Sequence, residues 1–209
     1  MKKIICIHAH FSNIHYLTEL FQKEKTLALE HYVMTDFLDQ ITPDNLTNFI
    51  EKKIEENVVG VIITCTMYSN LIKQKLILNK PILRVEDPLI AHILANPHKK
   101  CLIFSNPKTV KQTIQKIEIA YLEKNLALDY EFHIVPDAFD LILTNQKMAY
   151  QKALLNYLYL NNDGFSGDIY LMQLSMAIIS KEQLTEFGFP IFTILDSLDA
   201  IVKQELLTR

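Results

Sequence analysis

The chain has 209 residues, 49% of them apolar, and a formal net charge of -3. That length holds one large domain or two small ones with a sizeable core. The charge leaves no basic footprint for nucleic acid, no apolar run reaches membrane-spanning length, and three cysteines, an odd number, argue against a disulfide framework.

The opening MKKIICIHAH has a lysine pair and too short an apolar run for a signal segment. It reads as the first strand, Ile4–Ala9, of a cytoplasmic protein. NIHYLTELFQKE follows with helical periodicity, and Leu27–Met34 reads as a second strand. TPDNLTNFIEKKIEEN carries a strong helix start, Thr42 as N-cap and Pro43 at the first helical position. VVGVIITC is a third strand and PILRV a short fourth. Strands alternating with helices imply an α/β fold with parallel strands covered on both faces.

The pattern then restarts. KKIICIHA from Lys2 is echoed by KKCLIFSN from Lys99, 97 residues on, and KTLALEHYVM from Lys25 by KNLALDYEFHIV from Lys124, 99 on. GVIITCTMYS from Gly60 is echoed by DIYLMQLSMA from Asp168, 108 on, and KPILRVEDPL from Lys80 by FPIFTILDSL from Phe189, 109 on. Four echoes in one order imply an internal duplication. The growth in offset places an insertion in AFDLILTNQKMAYQKALLNYLYLNN. The expected architecture is two pseudo-symmetric α/β lobes with a cleft between them. Residues 1–95, with a C-terminal helix at about 195–209, form the first, and residues 98–194 the second. Ligands of open parallel sheets bind at the carboxyl ends of strands, so those ends supply the candidate site.

The first strand ends at His8, Ala9, His10, and its echo at Ser105 and Asn106 before Pro107, Lys108 and Thr109. The third strand ends at Thr64-Cys65-Thr66, and its echo at Gln173-Leu174-Ser175. Cys65 stands just past a buried strand and just before a helix start. Backbone N–H groups and the helix dipole favour a thiolate there. Thr66, Ser69 and Asn70 add hydroxyl and amide groups suited to a carboxylate. The plainer reading of Cys65 is a small residue finishing a strand; Cys6 and Cys101 lie within strands and fit that reading better.

SNPKT, Ser105 to Thr109, suits either anion binding or helix capping, which use the same groups. No GxGxxG or GxxxxGK[ST] loop occurs. His8 and His10 share a strand face, and His8, echoed by Ser105, is the better acid/base candidate. Glu86-Asp87-Pro88 and Asp196-Ser197 read as helix starts, and the other histidines have no evident companions. No CxxC, HExxH or clustered His/Cys spacing marks a metal site, so none is expected.

Taken together, GVIITCTMYSN, PILRVEDPLIAHIL, FSNPKTVKQTI, IVPDAFDLILTNQ and DIYLMQLSMAII resemble the aspartate/glutamate/hydantoin racemase superfamily along nearly the whole chain. The resemblance implies a two-lobed fold and an enzyme working on a small carboxylate without metal, pyridoxal phosphate or flavin. It also implies two cysteines, one per lobe, exchanging protons on opposite faces of the substrate. Cys65 and His8 are then the catalytic candidates. His10, Thr66, Ser69, Asn70, Ser105, Asn106, Thr109, Gln173 and Ser175 become the substrate-binding ones. The sequence departs from that pattern at the second cysteine, where Gln173 stands; glutamine exchanges no proton near neutrality.

Two readings follow. One is an Asp/Glu racemase-like enzyme, an isomerase or related one-cysteine lyase, with acid/base chemistry at Cys65 on amino acids or dicarboxylic acids; His8 or His10 replaces the second cysteine, or the chemistry is one-sided. The other is a catalytically inactive small-anion-binding protein on the same scaffold. A plain interaction module has only MAYQKALLNYLYL in its favour, a stripe that equally fits core or a face between two copies in a homodimer.

Overall fold

Alternating and continuous apolar runs build the first sheet. Lys2–His8 forms β1 and Leu27–Val33 β2, paired in parallel from Lys2↔Leu27 to His8↔Val33. Val58–Ile63 (β3) lies parallel on the other side of β1. Leu76–Ile77 (β4) and Lys80–Arg84 (β5) follow, β5 parallel to β3 and β4 antiparallel to β5, in the order β2-β1-β3-β5-β4. The structure, a computed structural model, describes residues 1–34, 41–161, 164, 167–202, 204 and 206.

Local sequence explains the helices of this unit. A 3₁₀ turn, Phe11–Asn13, leads into Ile14–Phe21 (α1). Pro43–Lys53 (α2) starts where Thr42 accepts a hydrogen bond from the Asn45 N–H, with Pro43 in the first turn. Thr66–Ser69 (α3) is a single turn. Ile5, Ile7, Val61 and Ile63 bury one sheet face against Leu46 and Ile50 of α2. Ile4, Cys6 and His8, alternate residues on the opposite face, are equally buried. Both faces are therefore covered, as a parallel sheet requires.

The second sheet repeats this plan. Asp87–Ala95 (α4) precedes Lys100–Phe104 (β6), Pro107–Glu123 (α5) and Tyr130–Ile134 (β7). Ala138–Leu143 (α6) and Lys147–Asn161 (α7) come next, then Asp168–Leu171 (β8) and a 3₁₀ segment, Leu174–Ile178. Lys181–Thr185 (α8), Ile191–Thr193 (β9) and Ile194–Val202 (α9) follow. The order β7-β6-β8-β9 is parallel throughout. The chain divides into two units, Met1–Asp87 with Ser197–Arg209, and Pro88–Asp196. The crossing within α4 falls somewhat before the 95/98 boundary expected from sequence. Of the C-terminal helix expected to 209, residues 203, 205 and 207–209 lie outside the described residues.

Two α/β units with parallel-dominated sheets flanked by helices are thus present. The insertion is visible as the α6–α7 pair between β7 and β8; in the first unit the described residues between β2 and β3 form α2 alone. Tyr150, Leu154 and Leu158 make the stripe of α7, and they are core, packed with Cys101, Ile103, Ile169 and Leu171.

Strand pairing corrects two of the echoes. His8 pairs with Val33 as Phe104 pairs with Ile134, so the equivalent of His8 is Phe104, not Ser105. Leu29 opposite Ile4 then corresponds to Tyr130 opposite Lys100, so "NLALD" precedes the strand. The cause is α5, whose 17 residues run to Glu123 before a turn in which Asn125 takes φ 52°. Apolar runs look alike wherever they begin, so residue matching slid by a few positions. The third echo holds: Ile63 pairs with Ile7 and Leu171 with Ile103, which makes Cys65 and Gln173 equivalent.

Gly167, just before β8, has φ 111°, and a Cβ there would overlap the Lys99 carbonyl. Asp168 donates its N–H to that same carbonyl at 2.9 Å. Gly167→Ala is expected to destabilise the protein by about 2–3 kcal/mol, through strain and displaced pairing. Urea unfolding checks this, and a loss below about 0.5 kcal/mol would show that the strand start yields freely.

Candidate functional site

In each unit the second and third strands lie on opposite sides of the first, so the sheet order switches beside the first strand's carboxyl end. This is where open α/β sheets place ligands. His8 and Thr64 meet at that end in the first unit. His8 is buried, and its Nδ1 lies 2.9 Å from Thr64 Oγ1. Thr64 donates its own proton to the Ile7 carbonyl at 3.1 Å, so its oxygen accepts from His8 Nδ1–H. Neutral His8 then accepts at Nε2 from His31 Nδ1–H, 2.9 Å away. Burial first, and His31 second, push the His8 pKa down to about 3. Both ring nitrogens of His8 are thus engaged, and burial favours the neutral ring.

Cys65 is the N-cap of α3, half-buried against the apolar core, whereas Cys6 and Cys101 are buried. Burial pushes its thiol up to about 11, against the Tyr68 and Met67 amides that donate to the sulfur and with the Glu86 carboxylate adding to the rise. The thiolate expected from the helix start is therefore not the resting form. A single turn aligns few peptide dipoles, and desolvation outweighs them.

Around the thiol, Thr66 is buried and Asn70 half-buried at the end of α3. Ser69 is turned inward: its hydroxyl lies 3.0 Å from the Thr66 carbonyl and also contacts Glu86 Oε1. Arg84 braces the same loop, with Nε 3.2 Å from the Ser69 carbonyl and 3.1 Å from that of Ile72, and Nη1 3.0 Å from Asp87. His10 caps the 3₁₀ turn, its Nδ1 accepting from the Ser12 N–H at 3.2 Å.

Gln173 of the second unit is the N-cap of its 3₁₀ segment, as Cys65 is of α3. Its Oε1 accepts from the Ser105 N–H at 2.6 Å and the Ser105 hydroxyl at 3.2 Å. Its Nε2 donates to Thr109 Oγ1 at 3.0 Å, and Thr109 donates to the Asn106 carbonyl at 3.0 Å. Tyr150 gives its proton to Ser105 at 2.9 Å, so Ser175, 3.0 Å away, donates to the Tyr150 oxygen. Asn106 caps α5 by accepting from the Lys108 N–H at 2.9 Å. The structure thus brings Ser105, Thr109, Gln173 and Ser175 together, and spends their groups largely on one another. Tyr150→Phe, which breaks the relay at its centre, is expected to cost about 1–2 kcal/mol in urea unfolding. An unchanged midpoint would mean that the serines find other partners.

His31, Thr64, Glu86, Arg84 and Tyr150 were missing from the sequence-based site. His31 lies two positions from the partner of His8 on the neighbouring strand, so strand parity could have found it. Tyr150 belongs to a helical core stripe and gives no such signal.

No protein-family model and no curated protein matches the sequence. Solved structures do match. A glutamate racemase from Bacillus anthracis aligns over 99% of this chain and 82% of its own, with TM-score 0.71 and 11% identity. An aspartate racemase from Picrophilus torridus aligns over 98% and 94%, with TM-score 0.68 and 12% identity. An allantoin racemase from Klebsiella pneumoniae aligns over 100% and 89%, with TM-score 0.70 and 13% identity. Identity at this level speaks for backbone architecture alone. The chain has the same fold as these three racemases.

Proposed function

We propose that this protein is an enzyme that acts on a small carboxylate, an amino acid or dicarboxylic acid, by cofactor-independent proton transfer at Cys65. The observation that carries this reading is the position of the thiol. It is half-buried, at the switch point of its sheet, with two backbone amides turned onto the sulfur. Protonated at neutral pH, the thiol is suited to deliver a proton to a carbanion. The Met67 and Tyr68 amides then steady the thiolate left behind. Thr66 and Asn70 flank it as groups for the substrate carboxylate.

Gln173, in the equivalent position of the second unit, supplies no exchangeable proton near neutrality. The chemistry is therefore one-sided: exchange with retained configuration, in which the small thiolate fraction takes the α-proton, trades it with solvent and returns a proton to the same face, or protonation by the thiol after C–C or C–N cleavage, or isomerisation through a thiol adduct. Incubation with single enantiomers of amino and dicarboxylic acids in deuterated water tests this. Deuterium entering the α-position without loss of optical activity is the expected result. Rapid racemisation would overturn the one-sided mechanism, and no exchange or turnover across the panel would overturn the enzyme reading. No helix among the described residues is long and apolar enough to cross a membrane.

A further inference from the structure

The edge of the second sheet gathers three metal-ligand donors that no sequence spacing announces. Cys101 of β6 pairs directly with Glu131 of β7, and His133 lies two residues further along β7 on the same face. One sulfur, one carboxylate oxygen and one imidazole nitrogen from these residues all lie within 4.8 Å of one another. We propose that Cys101, Glu131 and His133 form a binding site for a divalent transition-metal cation of the zinc type.

Two of the donors, Glu131 and His133, are held in place by neighbours. Glu131 Oε2 is held by Lys99 Nζ at 3.0 Å, while its buried Oε1 takes no hydrogen bond among the described residues. His133 Nδ1 lies 3.0 Å from the Tyr157 hydroxyl, and Nε2 is 3.8 Å from Glu131 Oε1. A ligating histidine commonly spends its other nitrogen on an oxygen in this way, which sets tautomer and ring orientation. Donors around a tetrahedral zinc ion stand about 3.3–3.7 Å apart, so closing the site from separations of up to 4.8 Å needs a movement of up to about 1.5 Å. The Glu131 and His133 side chains, 30% and 31% exposed on an edge strand, have that freedom and give the ion a path in.

The donor set selects the ion. Thiolate with imidazole and carboxylate suits zinc or cobalt better than magnesium or calcium, which take oxygen ligands. Binding forms a metal–sulfur bond and releases the Cys101 proton to solvent. The two negative ligands then neutralise the cation, with Lys99 beside them. Three protein ligands leave one tetrahedral position for water or a small ligand.

Cobalt(II) titration of the full chain tests the site, because a cysteine ligand gives cobalt a sulfur charge-transfer band. One equivalent is expected to bind with that band and to be displaced by zinc. Cys101→Ser should remove the band, and Cys65→Ser should keep it. Glu131→Gln and His133→Gln, at partly exposed positions and checked for native circular dichroism, should each weaken binding at least about tenfold. Tyr157→Phe should weaken it without abolishing it. A band that survives Cys101→Ser, affinity unchanged in both β7 variants, or no stoichiometric binding would each overturn the proposal.

Discussion

Replacing Cys65 with alanine is expected to lower turnover by about 10²–10⁴-fold while leaving the fold intact. The thiol is half-buried, and removing its sulfur opens little volume compared with a core leucine. Serine should not rescue, since its hydroxyl is a far weaker acid and its alkoxide a costlier product. The raised pKa makes a second, independent forecast. With the thiol pushed up to about 11, iodoacetamide should alkylate Cys65 about a hundredfold more slowly than a free cysteine at neutral pH. The rate should climb only as the pH approaches that value. Cys6 and Cys101 are buried and should not contribute. Wild-type activity in the alanine variant would remove Cys65 from the mechanism. Fast alkylation at neutral pH would show that the resting form is the thiolate after all.

Acid should unfold the protein partly through His8. Its folded pKa is depressed to about 3, from an ordinary 6.5, by burial and then by His31. Below pH 6.5 the unfolded chain takes up a proton that the folded protein refuses. Stability is therefore full above that pH and falls as pH drops towards the folded pKa. The slope is about 1.4 kcal/mol per pH unit, or about 4–5 kcal/mol over the whole window. His31, also pushed down by burial, acts in the same direction. His8→Asn, which keeps a donor for Thr64, should start less stable and lose less on acidification. Between pH 6.5 and 4.5 the difference in loss should be about 2–3 kcal/mol, read from urea midpoints. Equal pH slopes in the two proteins would mean that His8 protonates in place.

The single restart, read from four echoes, was legible in the sequence because strands and helices declare themselves by local periodicity. The growth between the second and third echoes located the α6–α7 insertion, while the corrected register assigns the earlier growth to α5. Thr42 and Pro43 marked a helix start because capping is chemistry among near neighbours. The match of Cys65 to Gln173 survived because both follow a strand tied to the central one. The match of His8 to Ser105 failed by one residue because nothing in an apolar run marks which residue comes last before the turn.

What the sequence alone determined is the α/β class, the repeated plan and a glutamine at position 173, which exchanges no proton near neutrality. Each follows from residue identity, or from spacing that short-range geometry reads directly. Only the tertiary structure decided the states of these groups. Cys65 became a protonated thiol because burial outweighed two amides, and His8 a neutral relay because His31 and Thr64 closed on it. Gln173 tied Ser105 to Thr109, and Cys101 met Glu131 and His133 across a strand pair. Protonation, desolvation and ligand geometry depend on atoms from distant parts of the chain, and only the register of paired strands brings those atoms together.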